Sequence, residues 1–253
     1  MQYSQRVWGC QPEAGQMVDR WWARISATLW PSCCVLCQGR GEPGRDLCGA
    51  CAGDLIANPV CCSRCAQPLF RTRGRAALCA RCIGAHSIIE SSFVPYRYVY
   101  PLDRLIQRLK YANALSVARV LGELFADRRA ELSVLPNPEL IVPVPLGHHR
   151  YRKRGFNQAY ELARAVGRRS NIGIRTDLVE RTRETQEQAG LPRRQRRRNV
   201  RGAFRIVRPL NATHVAIFDD VITTGTTVNE LAKVLRRAGA RTIEVWAIAR
   251  AGR

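Results

Sequence analysis

Eight of the eleven cysteines fall into four Cys-x-x-Cys pairs: Cys34/Cys37, Cys48/Cys51, Cys62/Cys65 and Cys79/Cys82. No other feature constrains the fold of this chain as strongly. A two-residue spacing lets both thiolates of a tight turn reach one ion, and two such knuckles complete a tetrahedral four-cysteine zinc site. Ten residues separate the first pair from the second, and thirteen the third from the fourth. Gly39, Gly41, Gly49 and Pro68 suit the turns. Sequential pairing, first with second and third with fourth, is preferred; interleaved pairing is the alternative. Disulfides are the competing use of such cysteines. The chain has no apolar run of the ~18 residues that span a bilayer, and its first residues lack the apolar centre of a secretory leader. A cytosolic location is therefore expected, where thiols stay reduced. About two structural zinc ions follow, since four thiolates leave no open position for catalysis. Cys33 and Cys61 adjoin ligands and can exchange with them. Cys10 reads as a free thiol and His86 as a bystander.

Upstream of the knuckles, Val18, Trp21, Trp22, Ile25 and Leu29 share one helical face. The chain thus divides into an N-terminal helical extension (1–30), a double zinc ribbon (31–90) and a larger domain (91–253). In that last part strands and helices alternate. "FVPYRYVY" reads as a strand, followed by a helix carrying Leu102, Leu105, Ile106 and Leu109 behind Pro101. A second helix runs through Leu121, Leu124 and Phe125. "LIVPVP" is a short buried strand, and "FNQAYELARAVGRR" a helix with Asn157 as N-cap. "AFRIV", "HVAIFDD" and "TIEVWAIAR" are strands, the last two joined by a helix closed at Gly239. Alternation of this kind predicts an α/β fold with an open parallel sheet.

The stretch "VAIFDDVITTGTT", Val215 to Thr227, carries the chemistry. A buried strand over Val215–Phe218 places Asp219 and Asp220 at its carboxyl end, where open α/β sheets bind ligands. The Thr/Gly loop then enters a helix, whose N-terminal N–H groups and dipole favour a phosphate. Gly225 lets backbone approach an anion, and Thr223, Thr224, Thr226 and Thr227 add hydroxyl donors. Two carboxylates would repel that anion unless they face something else, such as ribose hydroxyls or a divalent cation. Thr227-x-x-Glu230 also fits a capping box, a role that leaves the paired acids unexplained.

This stretch resembles the phosphoribosyl-pyrophosphate (PRPP) signature of type I phosphoribosyltransferases, in which the acids hold the ribose hydroxyls and the loop holds the 5′-phosphate. The resemblance implies those roles for Asp219 and Asp220, and for Thr223, Thr224, Gly225, Thr226 and Thr227. Two further stretches, "VPVPLGHHRYRKRGFNQAYELA" and "RTRETQEQAGLPRRQRRRNVRGAF", are similar to the pyrophosphate-loop segment and the mobile loop of ComF/GntX-like proteins. With the cysteine-rich start, the likeness covers nearly the whole chain. It implies a type I phosphoribosyltransferase-like open parallel sheet preceded by a small zinc-ribbon domain. It further implies a role in competence or use of external DNA, PRPP or a ribose 5-phosphate as ligand, Mg²⁺ accompanying PRPP in catalysis, and single-stranded DNA and competence proteins as partners. An active transferase of unknown acceptor and a non-catalytic PRPP sensor are the alternative readings.

Charge bears on the nucleic-acid reading. The formal charge is +21, and only Lys110, Lys153 and Lys233 among the 41 basic residues are lysine. Residues 91–253 hold most of the excess. Eight arginines and no acid occupy 193–208, among them Arg194, Arg196, Arg197 and Arg198. "HHRYRKR" adds Arg150, Arg152, Lys153 and Arg154. A loop closing over pyrophosphate needs one or two cations; the surplus suits a groove that tracks a phosphate backbone. Tyr151 and Phe156 are candidate stacking aromatics.

Overall fold

The computed structural model describes residues 32–69, 77–132, 136–183 and 200–252. Two compact units emerge, Met1–Ala52 and Gly53–Arg253. The described part of the first holds the first pair of knuckles. Its only helix is α1 (Gly49–Gly53), one turn that carries Cys51 into position.

The second unit begins with the other two knuckles and continues into a six-stranded sheet. The strands are β1 (Ser91–Phe93), β2 (Tyr96–Arg97), β3 (Leu140–Pro143), β4 (Gly173–Ile174), β7 (His214–Ile222) and β8 (Thr242–Arg250). Their order is β1-β8-β7-β3-β4, with β2 also on β8. Every pairing in this sheet is parallel. "FVPYRYVY" is thus not one strand but two short ones, broken around Val94–Pro95, because proline has no N–H to give the ladder. "AFRIV" also departs from expectation. Its strand β6 (Phe204–Ile206) leaves the main sheet and pairs antiparallel with β5 (Val179–Arg181). β6 itself lies within the arginine-rich stretch 193–208.

Helices cover both faces of the main sheet, as the period-2 alternation of β7 and β8 requires. Ile217 and Val245 pack with Leu231 and Leu235 of α6 (Thr226–Arg237). Their neighbours Phe218 and Trp246 point the other way, onto Phe125 of α3 (Leu115–Ala130), with ring centroids 5.2 and 5.5 Å apart. On that second face lie also α2 (Leu102–Tyr111) and α5 (Gln158–Ser170). The α2 stripe Leu102, Leu105, Ile106 and Leu109 is buried, as its spacing predicts. Asn157 caps α5 by accepting a hydrogen bond from the Ala159 N–H at 3.0 Å.

The basic stretch "HHRYRKR" folds as a short helix, α4 (His148–Arg154), rather than a loop. Gly155 ends it with φ of 78°, a left-handed turn that glycine adopts without strain.

Candidate functional site

The two pairs of knuckles are local repeats of one turn. In each, the first cysteine's N–H donates to a carbonyl five residues on: Cys34 to Gly39, and Cys62 to Gln67, both at 2.8 Å. The residue after the second cysteine, Gln38 or Ala66, takes a left-handed backbone with φ of 62° or 53°. This geometry turns both sulfurs of a pair to the same side. Cys34, Cys37, Cys48 and Cys51 converge, and so do Cys62, Cys65, Cys79 and Cys82, each set with its sulfurs within 4.8 Å of one another. Sequential pairing is therefore the arrangement found. Sulfurs of different knuckles stand 3.8 Å apart at Cys37/Cys48 and 3.6 Å at Cys65/Cys79. A tetrahedral ion with Zn–S bonds of ~2.3 Å demands about 3.8 Å between sulfurs, so both tetrads fit zinc. Burial raises the Cys34 thiol, but N–H groups of Cys37, Cys48 and Leu36 more than offset it and bring its pKa to about 6. In the second tetrad burial is likewise outweighed at Cys62, by N–H groups of Cys79, Cys65 and Arg64, giving about 7. One thiolate per tetrad is thus readily formed, the state a metal requires. Cys61 lies outside the set; burial pushes its thiol up to about 11.

At the other candidate site, β7 continues past Phe218, pairing with β8 as far as Ile222↔Arg250. Asp219 and Asp220 therefore lie within the strand, two residues short of its end, with their carboxyls hydrogen-bonded to each other. Asp220 shares the face of Phe218, where α2 packs. There it meets Lys110 in the last turn of α2, with Nζ and Oδ2 2.5 Å apart. Lys110 is a site residue that the sequence reading missed. Its only trace in the sequence was a lone lysine, among arginines, near the end of an amphipathic helix. Burial works against the charge of Asp220, but Lys110 outweighs it and holds this carboxyl below its usual range. Burial, and then the adjacent Asp220 charge, push Asp219 well above the usual value. An oxygen of Asp219 accepts the Asp220 N–H at 2.9 Å.

The loop then delivers α6. Gly225 is the helix N-cap, with φ of 76°, so Thr227 is not the cap that the sequence suggested. Glycine is needed there for its backbone angle rather than for space, since a Cβ would come no closer than 3.4 Å, to the Asn229 amide. Asn229, also missed, donates from its side chain to the Gly225 carbonyl at 2.7 Å and fixes the turn. The Thr224 and Thr226 hydroxyls lie 2.8 Å apart. Loop and acids line one cavity of about 380 Å³. Arg150 and Arg154 of α4, Gln158 at the start of α5, and Arg181 of β5 contribute to its walls. Arg181 is buried and lies over the Phe204 ring at 5.6 Å. Arg152, Lys153 and Tyr151 project into solvent, and Arg154 stacks over Tyr111 at 5.3 Å. Arg194, Arg196, Arg197 and Arg198 fall outside the described residues, as do the 1–30 extension and Cys10.

Fold and sites together define an open parallel α/β domain with a Thr/Gly turn at a helix start, preceded in the chain by two pairs of cysteine knuckles, each able to hold a zinc ion. The double zinc ribbon domain family matches residues 25–85. Competence protein F of Haemophilus influenzae is 35% identical over 86% of this chain and 96% of its own length. DNA utilization protein YhgH of Escherichia coli K12 is 34% identical over 87% and 97%. Competence protein ComFC of Streptococcus pneumoniae is 26% identical over 61% and 66%. Among solved structures, a purine phosphoribosyltransferase from Pyrococcus horikoshii Ot3 aligns over 59% of this chain and 81% of that one, with 16% identity and a TM-score of 0.29. The chain belongs to the ComF family. No described helix is long and apolar enough to cross a membrane.

Proposed function

We propose that this chain is a cytosolic factor for uptake or use of external DNA. It holds a 5-phosphorylated ribose, PRPP or ribose 5-phosphate, on its phosphoribosyltransferase domain and single-stranded DNA on its basic surface. The observation that carries this reading is the meeting of the Thr223–Thr227 turn, the start of α6 and the Asp219/Asp220 carboxylates in one cavity. A helix start favours the phosphate, and carboxylates favour sugar hydroxyls. With PRPP as the ligand, Arg150 and Arg154 on the cavity wall would offer charge to its pyrophosphate, and Asp219 and Asp220 would hold an accompanying Mg²⁺, which would supply further charge neutralisation. The relatives' names, competence and DNA utilization, supply the biological setting.

The exposed cations of α4, beside Tyr111 and Tyr151, and the arginine segment 193–208 supply the phosphate-tracking surface. Fluorescence anisotropy with a labelled oligonucleotide across a salt series tests it. If about five phosphates are neutralised, the log–log slope on single strands is about −3.5, from ~0.7 per phosphate. Replacing Arg150, Arg152 and Lys153 with Ala should flatten it by about 2 on the same scale. Salt-indifferent affinity overturns the nucleic-acid half of the reading. Pyrophosphate release from PRPP over a panel of bases and amines, run alongside, separates an active transferase from a binding protein.

A further inference from the structure

A second cavity, of about 730 Å³, shares Thr224, Gly225 and Thr226 with the phosphate cavity but none of its acids and none of the α4 arginines. One wall is α6, from Val228 to Lys233. The other comes from the second knuckle pair, with Arg64 and Arg81, and from the chain just after it, with His86 and Ile89. Buried Ile89, Val228 and Val245 give it apolar surface. The one acid in its lining is Glu230, and that acid is engaged: Lys233 Nζ lies 2.6 Å from one oxygen, and the Gly202 N–H donates to the other at 3.3 Å. A zinc-loaded tetrad keeps about two negative charges, four thiolates against one Zn²⁺. Arg64 and Arg250 stand against them. Arg64 donates to the Cys82 and Ala85 carbonyls at 2.8 and 2.9 Å, and Arg250 to the Cys65 carbonyl. Arg81 and Arg201 are left over. Both are exposed, and neither guanidinium has a hydrogen-bond or ion-pair partner among the described residues.

The lining thus combines spare positive charge with apolar surface. A nucleotide chain needs both, cations for its phosphodiesters and a surface for its bases. Arg81 belongs to the knuckle and Arg201 to the arginine-rich stretch 193–208. Cations from two such separate segments suit a ligand whose charges repeat along a chain. His86 is the one ring in the lining, and an imidazole can stack on a base. We propose that a single-stranded nucleic acid crosses the second knuckle pair through this cavity, with phosphodiesters on Arg81 and Arg201 and a base on His86. This location deepens the nucleic-acid half of the reading above, on which it rests, by giving the zinc ribbon a part in strand binding. The strand and a phosphoribosyl compound then occupy different cavities, with the Thr224–Thr226 turn common to both.

The test is fluorescence anisotropy of a labelled oligothymidylate on the zinc-loaded full chain, across a salt series. Arg81→Ala combined with Arg201→Ala should lower the log–log salt slope by about 1.4 and weaken binding roughly tenfold at ~0.15 M salt, from ~0.7 per phosphate contact. His86→Ala should weaken binding roughly fivefold, the low end for a lost base stack, and leave the slope at its wild-type value. Zinc content and inorganic-phosphate affinity should match the wild type in these variants, which separates lost contacts from a disturbed knuckle. Should Arg81→Ala lose zinc, His86→Ala decides, because His86 lies beyond the last zinc ligand. The proposed crossing is overturned if Arg81→Ala and His86→Ala both bind as the wild type does while the triple Ala variant of Arg150, Arg152 and Lys153 loses affinity. It is also overturned if thymidine monophosphate displaces the oligonucleotide at equal nucleotide concentration, since the cavity would then be a mononucleotide pocket. A wild-type chain that binds no oligonucleotide, or binds it indifferently to salt, would instead overturn the nucleic-acid reading itself, and this location with it.

Discussion

Arg250, the last residue of β8, is 2% exposed and staples the second zinc knuckle to the phosphate turn. Its Nε donates to the Cys65 carbonyl at 3.0 Å, and Cys65 is one of the second tetrad. One terminal nitrogen donates to the carbonyls of Ile222, Thr223 and Ala251, and the other to the Gln67 side chain at 2.9 Å. Arg250→Met keeps the bulk and removes every donor. The Ile222 carbonyl retains the Ala251 N–H, but Cys65, Thr223 and Ala251 lose the donor that Arg250 supplied. Hydrogen bonds from a charged donor contribute ~1.5–3 kcal/mol each. Water can reach the part-buried carbonyls, so the low end applies, and the three backbone losses sum to about 4.5 kcal/mol. For a chain this size each 1 kcal/mol moves the melting temperature by ~2–4 °C, which predicts a fall of roughly 10 °C. Differential scanning calorimetry with zinc quantified in the same sample measures it. Phosphate affinity should fall too, because Thr223 opens the turn that grips the anion. A melting point within about 2 °C of wild type, with phosphate affinity unchanged, would refute the staple as a structural link between knuckle and turn.

Metal analysis of protein purified under reducing conditions should give close to two zinc ions per chain, and Cys79→Ser should lose the second while leaving the first, since each tetrad is built from its own knuckles. Finding no zinc in the wild type would sink the ribbon assignment. The Lys110–Asp220 pair predicts a pH signature. Asp220 has a depressed pKa, so its contribution is present above the unfolded-state value, ~3.9, and is lost as pH falls through the lower folded value. Lys110 has a raised pKa, so its part is present below ~10.4 and lost as pH climbs through the higher folded value. The stability gap between wild type and Lys110→Met should hold flat from about pH 5 to pH 9 and narrow below about pH 4. Asp219, whose pKa is raised, acts in the opposite sense, and a gap that widens on acidification would show that Asp219 dominates.

Much of this molecule was legible in the sequence because its strongest signals are local. A Cys-x-x-Cys turn encodes its own geometry, and the Thr/Gly stretch after a buried strand encodes a phosphate turn whatever surrounds it. The α2 stripe and the Asn157 cap are local in the same sense. Long-range partners were not legible. Lys110 lies 110 residues before Asp220, and nothing in its helix marks which face of the sheet it will meet. Arg250 looks in sequence like the polar end of a strand, although its partners Cys65 and Gln67 come from the knuckle. The β5–β6 ribbon was misplaced for a similar reason: three-residue strands do not say which sheet they join. The strand β7 runs two residues past the expected "HVAIFDD", because β8 pairs alongside it as far as Ile222.

The central claim is that the Thr223–Thr227 turn receives the phosphate of a 5-phosphorylated ribose. Phosphorus-31 NMR reads this directly, because the 5′-phosphate and the pyrophosphate of PRPP resonate separately. Titrating the wild-type chain should shift or broaden the 5′-phosphate signal. Gly225→Val, which forces a β-branched residue into a left-handed angle at the head of α6, should abolish that change while leaving both zinc ions bound. A 5′-phosphate signal that the wild type leaves untouched, or that Gly225→Val perturbs just as strongly, would contradict it.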